Sequence, residues 1–532
     1  MLFDLIVVGG GHNGLVCAAY AARAGLSVAV IERYDEVGGA AFTEEFHPGF
    51  RNSAASYTVS LLEPRIIEDL DLRGHGLRIV PRPLENFVPA LDGPGLELPG
   101  ESTARYRAIA GLSRRDADAY GSFSARLNSV IGLVRPFFLE APVQPWRSGR
   151  EFWRALAVGA RTLGYGPRAI AATIKLIRQS AGHWLDTFFE TDLLKGALGF
   201  DSVVGHFASP YSRGSGYLLL HHALGELEGK PGAWGHAIGG MGSISNALAL
   251  AAEKCGVQIR TGEAVSRITP ADGGFVVETE KGTLTSRLVA GAVHPKRLFL
   301  DLLADADLPE TFKSRIDNWQ SESASFRINV ALSELPEFRC LPGKRPGPHH
   351  GAGILFTPSL PYLDKAYRDA AETGLSVKPI VELVIPSVVD ATLAPRGQHV
   401  ASLFCQHFRY ALPDGKTWDQ TRGDAIDRIL TIVDDYAPNF KSAVLGLNAY
   451  SPLDLERRFG LVGGDIFHGA MIPSQLYHAR PAKRYARYRT PIPDLYLCAA
   501  GAHPGGGVSG APGYNAAAAI IEDAASRATR RQ

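Results

Sequence analysis

The residues with the clearest chemical potential stand near the start. In VVGGGHNGL, Gly9, Gly11 and Gly14 have G-x-G-x-x-G spacing, and Glu32 follows about 20 residues further on. Gly9 permits a tight turn, Gly11 lets the backbone approach a pyrophosphate, and Gly14 lets a following helix pack closely on the preceding strand. The free N–H groups and positive dipole end of such a helix attract an anion. A carboxylate at Glu32 can accept from both hydroxyls of an adenosine ribose. Together these residues point to dinucleotide binding; the plain alternative is a glycine-rich turn with no ligand.

The flanking stretches supply the elements that must position them. Leu5 to Val8 is an apolar run suited to a buried parallel strand. An Ala-rich helical stretch runs to Arg23, with Gly25 as its stop signal, and Val28 to Ile31 reads as a second strand. Past Glu32, the segment ERYDEVGGAAFT carries the site on through Arg33 and the paired glycines Gly38 and Gly39. These motifs resemble the flavoprotein superfamily that contains amine oxidases and phytoene desaturases. The resemblance implies FAD held along its whole length, with contacts at Asn13, Ala40 and Ala41 besides the residues already named. His12, within the loop, would meet the pyrophosphate rather than a substrate.

The chain of 532 residues exceeds what one core usually supports. A net charge of +1 lacks the basic footprint of a nucleic-acid partner. The five cysteines form no C-x-x-C pair, so neither a metal site nor a redox disulfide is legible, and a reducing compartment is expected. The first strand begins close to Met1, which leaves no room for a leader and makes a cytoplasmic location the expectation.

The small polar run Asn52 to Ser56 predicts a close-contact loop, followed by a helix over Ser60 to Asp69. Residues 103–230 read as several helices, broken at Pro136, at Pro142 and Pro145, and at Gly164 to Pro167. Residues 147–178 hold seven cations against the single acid Glu151, with Trp153, Leu156, Ile170, Ile174 and Ile177 as apolar companions. Two readings stand: contact with an anionic membrane surface, or a lid with its charged face in solvent. From Gly239 a glycine turn feeds a helix closed by Gly256, then a short strand and a meander with turns at Asp272 to Gly274 and Lys281 to Gly282. The resemblance implies that the Val265 backbone faces the adenine ring. Strands over Phe326–Leu332, Pro379–Ile385 and His399–Phe404, then a helix over Trp418–Tyr436, suggest a mixed-sheet unit.

The C-terminal stretch repeats the opening logic. A strand over Leu495 to Ala500 leads to a glycine-dense loop, His503 to Gly510, and an Ala-rich helix to about Ser526. Beyond lies an Arg-rich tail of Arg527, Arg530 and Arg531, expected to fray. Donors there would favour the negative charge of a reduced flavin near its pyrimidine edge; a purely structural turn is the alternative. The segments GGDIFHGAMIPSQLYHARP and LYLCAAGAHPGGGVSG resemble the carotenoid-desaturase branch, in which a His-Pro-Gly loop crosses the flavin. Contacts are implied at Gly501, Ala502, Gly507, Val508 and Ser509.

The expected architecture is therefore α/β. A Rossmann-like FAD-binding domain, discontinuous in sequence (1–100, 233–295 and 490–532), combines with a helical substrate region (101–232) and a mixed-sheet α+β substrate domain (296–489). The expected reaction is FAD-dependent dehydrogenation or isomerisation of an apolar, lipid- or polyene-like small molecule, with oxygen or a quinone as electron acceptor. His468 and His503 are the candidate acid–base residues, each also readable as a packed or capping histidine. The aromatic segments Trp184–Phe189 and Phe200–Tyr217 are candidates to line a tunnel, or else ordinary core. Amine or amino-acid oxidation, and a regulatory protein stabilised by FAD, are the competing functions. No metal is expected, and association into an oligomer is compatible with the sequence.

Overall fold

The computed structural model describes residues 2–343 and 345–531, with side chains to residue 527. The strand Leu2–Val8 lies inside a seven-stranded sheet, parallel to Val28–Ile31 on one side and to Gly282–Gly291 on the other. Gln258–Arg260 extends the sheet beyond Val28–Ile31, and Leu495–Leu497 runs parallel to Gly282–Gly291. The meander Val265–Ala271, Gly274–Thr279 and Gly282–Gly291 completes it with antiparallel pairs. Leu5, Ile6, Val7 and Val28 to Ile31 are buried, as two-sided parallel strands require. Helix His12–Arg23 packs on this sheet between Gly242–Lys254 and Ala511–Arg531. The front, middle and end of the chain thus close one Rossmann-like layer.

The second sheet is mixed. Its order is Val444–Tyr450, Ser325–Leu332, His399–Phe408, Leu375–Val384, Gly353–Phe356, Asn86–Val88 and Leu96–Leu98. The pairing of Gly353–Phe356 with Asn86–Val88 is parallel, and the other pairs are antiparallel. Helix Trp418–Tyr436 covers this sheet over the residues its sequence predicts. Residues 86–98, grouped by sequence with the first unit, belong to this sheet. Phe87 packs edge-on against Phe338 at 5.2 Å, and three-residue strands carry too little pattern to announce such a partner.

Three local expectations change. Asn52 and Ser53 lie in a strand, Phe50–Ser53, rather than a loop. There Asn52 donates to Asn329 Oδ1 at 2.9 Å, and Asn329 donates back to the Ser53 carbonyl at 3.0 Å, tying the two-stranded pair Thr43–His47 and Phe50–Ser53 to the mixed sheet. The helix after it spans only Pro64–Asp69, because Pro64 with its fixed φ sets the first helical position. The C-terminal helix instead runs past Ser526 to Arg531, so the tail is helical, and the side chains of Arg530 and Arg531 lie outside the described residues.

Residues 101–223 form the expected helices, including Arg114–Val134, Gly149–Gly164 and Gly166–Arg178. Trp184, Phe188 and Phe189 pack around Phe123 with ring centroids 4.9 to 5.5 Å apart. They are the core of the helical region and line no tunnel.

Candidate functional site

The front cradle is built at the junction of Leu2–Val8 and His12–Arg23. The helix has no acid in its first turn and no side-chain cap, so its first N–H groups stay available to an anion. Gly14 sits where a Cβ would collide with the Gly9 carbonyl and lie 2.8 Å from the Ala292 Cβ. Glu32, buried at the end of Val28–Ile31, accepts from the Gly10 N–H at 2.7 Å and from the Tyr34 N–H at 3.0 Å. Each carboxylate oxygen keeps acceptor capacity beyond that bond.

A cavity of about 540 Å³ begins at this cradle, a size within the usual range for cofactor pockets. Gly9, Gly11, His12, Asn13, Gly14, Glu32, Arg33, Gly39, Ala40 and Val265 line it, as do His468, Gly507 and Val508 from the C-terminal half. The other expected contacts sit behind this lining. The Gly38 N–H donates to the Gly10 carbonyl at 3.0 Å, and the Ala41 carbonyl accepts from Ser245 at 2.7 Å. Gly501 packs where a Cβ would strike Pro295, Ala502 is fully buried, and Ser509 accepts from the Ala511 N–H at the start of the last helix. These five shape the cradle and do not face it.

The histidines separate in role. His12 lines the cavity, hydrogen-bonds to the Gly507 backbone, and is pushed down to about 4 by burial. It therefore links the two glycine loops as a neutral ring. His468 lines the cavity beside His294, ring centroids 5.4 Å apart, and is pushed down to about 3 by burial and by the charge of Arg480. His503 does not line the cavity, which corrects its reading as an acid–base group facing a cofactor. Its Nε2 meets the Phe137 carbonyl at 2.8 Å, and its ring packs against Tyr477 at 5.2 Å. That backbone partner fixes the Nε2 side of the buried ring, while its Nδ1 has no partner among the described residues.

The loop carrying His468 is held by Arg480, a fully buried guanidinium that sequence reading missed. It donates to the carbonyls of Phe467 at 2.7 Å, Ala500 at 2.7 Å, Gln475 at 3.2 Å and Gly469 at 3.3 Å. Burial lowers it to about 10, so it stays charged at neutral pH.

The far part of the cavity is aromatic and, apart from Val204 in the Phe200–Tyr217 segment expected to line a tunnel, was also unforeseen. Tyr57 stacks on Phe404 with centroids 5.4 Å apart, Trp234 stacks on His222 at 6.3 Å, and Leu61 and Val204 join them in the lining. The Tyr57 hydroxyl donates to Glu382, whose other oxygen pairs with Arg82 at 3.2 Å. Burial and the Glu382 carboxylate hold the phenol well above its usual range, so it remains protonated. No motif marks these residues, because they come from segments distant in sequence.

The residues present fit a dinucleotide. His12 Nε2, Asn13 Oδ1 and His468 Nδ1 have no partner among the described residues, though all three residues line the cavity. Such buried atoms normally find a partner, and a polar cofactor threaded through the cavity would supply it. The five cysteines are free. Two of them, Cys17 and Cys498, meet in the buried core, where the neighbouring thiol and burial keep Cys498 protonated, and neither lines the cavity.

Comparison with known proteins agrees with this geometry. Residues 7–67 match the NAD(P)-binding Rossmann-like domain. The chain is 40% identical to pyridine nucleotide-disulfide oxidoreductase domain-containing protein 2 of Rattus norvegicus, covering 98% of this chain and 94% of that one. It is 23% identical to the lycopene-forming phytoene desaturase of Pantoea ananas, over 97% of this chain and 99% of the other. Among solved structures, cyclohexylamine oxidase of Brevibacterium oxydans superposes with a TM-score of 0.57 at 17% identity, covering 98% and 99% of the two chains. At that identity the likeness is one of fold.

Proposed function

The chain belongs to the family of pyridine nucleotide-disulfide oxidoreductase domain-containing protein 2, an oxidoreductase family of the phytoene desaturase and amine oxidase superfamily, and on that premise we propose that it dehydrogenates or isomerises an apolar, polyene- or lipid-like molecule using FAD. The observation that carries this reading is the cavity itself. It runs from a carboxylate and a helix N-terminus at one end to an aromatic wall at the other.

In this reading Glu32 accepts from the adenosine ribose, the N–H groups after Gly11 bind the pyrophosphate, and Val265 borders the adenine. His12 and His468 stay neutral and offer ring nitrogens to the cofactor's polar atoms. Bound FAD supplies the hydride-accepting centre. Tyr57 turns its hydroxyl away to Glu382 and gives the cavity its ring face, which suits a substrate without polar groups. The phytoene desaturase relative bears a polyene substrate in its name, which supports the same class. Oxygen or a quinone would reoxidise the site.

Of the carboxylates lining the cavity, Asp301 pairs with Arg297 at 2.9 Å, while Glu32 and Glu456 accept from the backbone N–H groups of Gly10 at 2.7 Å and Gly463 at 2.6 Å, so the choice between an apolar substrate and an amine rests on the substrate test. The test is direct. Purified protein should be yellow, or become so with FAD, and should bleach anaerobically with polyenes or lipids. Bleaching only with amines would favour the oxidase reading, and colourless protein that takes up no FAD would end the proposal.

A further inference from the structure

We propose that helices Gly149–Gly164 and Gly166–Arg178, with the loop before them, form a docking surface for an anionic lipid bilayer. The inference stands apart from the choice of substrate.

The first observation is an inverted amphipathic pattern. A globular helix turns its apolar stripe inward. In Gly149–Gly164 the buried residue is Glu151, while Trp153 is 69% exposed, Leu163 is 72% exposed and Trp146 in the loop before it is 70% exposed; Gly166–Arg178 turns Ala169, Thr173 and Leu176 inward in the ordinary way. Phe152, Leu156 and Ile174 are exposed as well. On a helix of about 3.6 residues per turn, positions 152, 153, 156 and 163 share one face about 100° wide. Large apolar side chains gathered this way on a protein surface mark an interaction site rather than scatter.

The second observation identifies the partner by charge. Residues 147–178 hold Arg147, Arg150, Arg154, Arg161, Arg168, Lys175 and Arg178 against Glu151 alone. Glu151 is spent inward on Arg487 and Arg154. Arg150 and Arg161 pair with Glu522 and Glu140, and among the described residues no carboxylate lies within ion-pair distance of Arg168, Lys175 or Arg178. An apolar strip on one helix beside a neighbouring helix that carries unneutralised cations matches an interfacial layer of acyl chains beneath anionic headgroups. A second copy of the chain fits worse, because a two-fold contact sets each patch against itself and would bring like charges together. Among the described residues no helix is long and apolar enough to cross a membrane, so the contact lies in the membrane plane.

Flotation of the full-length protein with vesicles tests this. It should rise with vesicles of phosphatidylcholine containing about one-third phosphatidylglycerol, and bind about tenfold less to phosphatidylcholine alone or in high salt. Tryptophan fluorescence should shift to the blue and be quenched by brominated acyl chains. The double variant Trp153→Glu, Leu163→Glu should lose flotation at least tenfold while keeping its circular dichroism and FAD content. Folded wild-type protein that stays with the buffer would overturn the proposal. So would a concentration-dependent dimer that the same variant dissociates, or equal binding to neutral and anionic vesicles. None of these results would touch the oxidoreductase reading, which rests on the cavity.

Discussion

The carboxylate of Glu32 accepts a hydrogen bond from the backbone N–H of Gly10 at 2.7 Å, locking the end of the second strand to the middle of the glycine loop. Gly10 leaves little room for a side chain: an added Cβ would lie 3.1 Å from Glu32 Cβ and 3.2 Å from Val37. The acid thus orders the loop and keeps acceptor capacity for a ribose. Glu32→Gln should weaken FAD binding by about tenfold to a hundredfold, the worth of a hydrogen bond to a charged group. Fluorescence titration of the cofactor-free chain measures it.

Gly14→Ala should prevent the close fit of helix His12–Arg23 on the strand before it, because the methyl would collide with the Gly9 carbonyl and Ala292. Overpacking of this kind costs about 1–3 kcal/mol. The variant should therefore show a lowered urea midpoint even without cofactor, along with weaker FAD uptake.

Removing the guanidinium in Arg480→Met would orphan the carbonyls of Phe467, Gly469, Gln475 and Ala500. At roughly 1 kcal/mol or more each, the loss should be about 3 kcal/mol or greater. Arg480→Lys should recover only part of it, since a single ammonium cannot reproduce the planar fork. Denaturant titration of the three proteins ranks them.

Acid should destabilise the fold through its buried imidazoles. Burial lowers His12 to about 4, and His407 and His468 to about 3, against about 6.5 in an unfolded chain. Below that unfolded value the unfolded state binds more protons than the folded state. The stability they lend is complete above about pH 6.5 and is lost as pH falls toward the folded values, by up to about 1.4 kcal/mol per group per pH unit. Urea midpoints should fall steadily from about pH 7 to pH 5, and His407→Phe should flatten the slope.

Tyr57→Phe keeps the ring that stacks on Phe404 and removes only the hydroxyl bound to Glu382. For an apolar substrate, kcat/KM should change by no more than a few-fold, whereas Tyr57→Ala should reduce it about tenfold or more through lost contact area. A Phe variant as inactive as the Ala variant would mean the hydroxyl takes part in proton movement.

Local sequence was enough to determine the front of this protein. A strand, a turn, a helix and an acid at fixed spacing are short-range features, so Gly9 to Gly14, Glu32 and the exact span Trp418–Tyr436 could be read without coordinates. Tertiary structure alone decided the rest. Tyr57, Trp234 and Phe404 converge on the cavity wall, with Glu382 and Arg480 bonded behind it, from segments with no shared motif, because such a wall is defined by packing and not by order along the chain. His503 looked reactive in its glycine loop, yet the partner that fixes it, the Phe137 carbonyl, comes from the helical region far away in sequence. The outward turn of Trp153 and Leu163 was hidden for the same reason, since an amphipathic pattern shows that a helix has two faces and only its neighbours determine which one meets water.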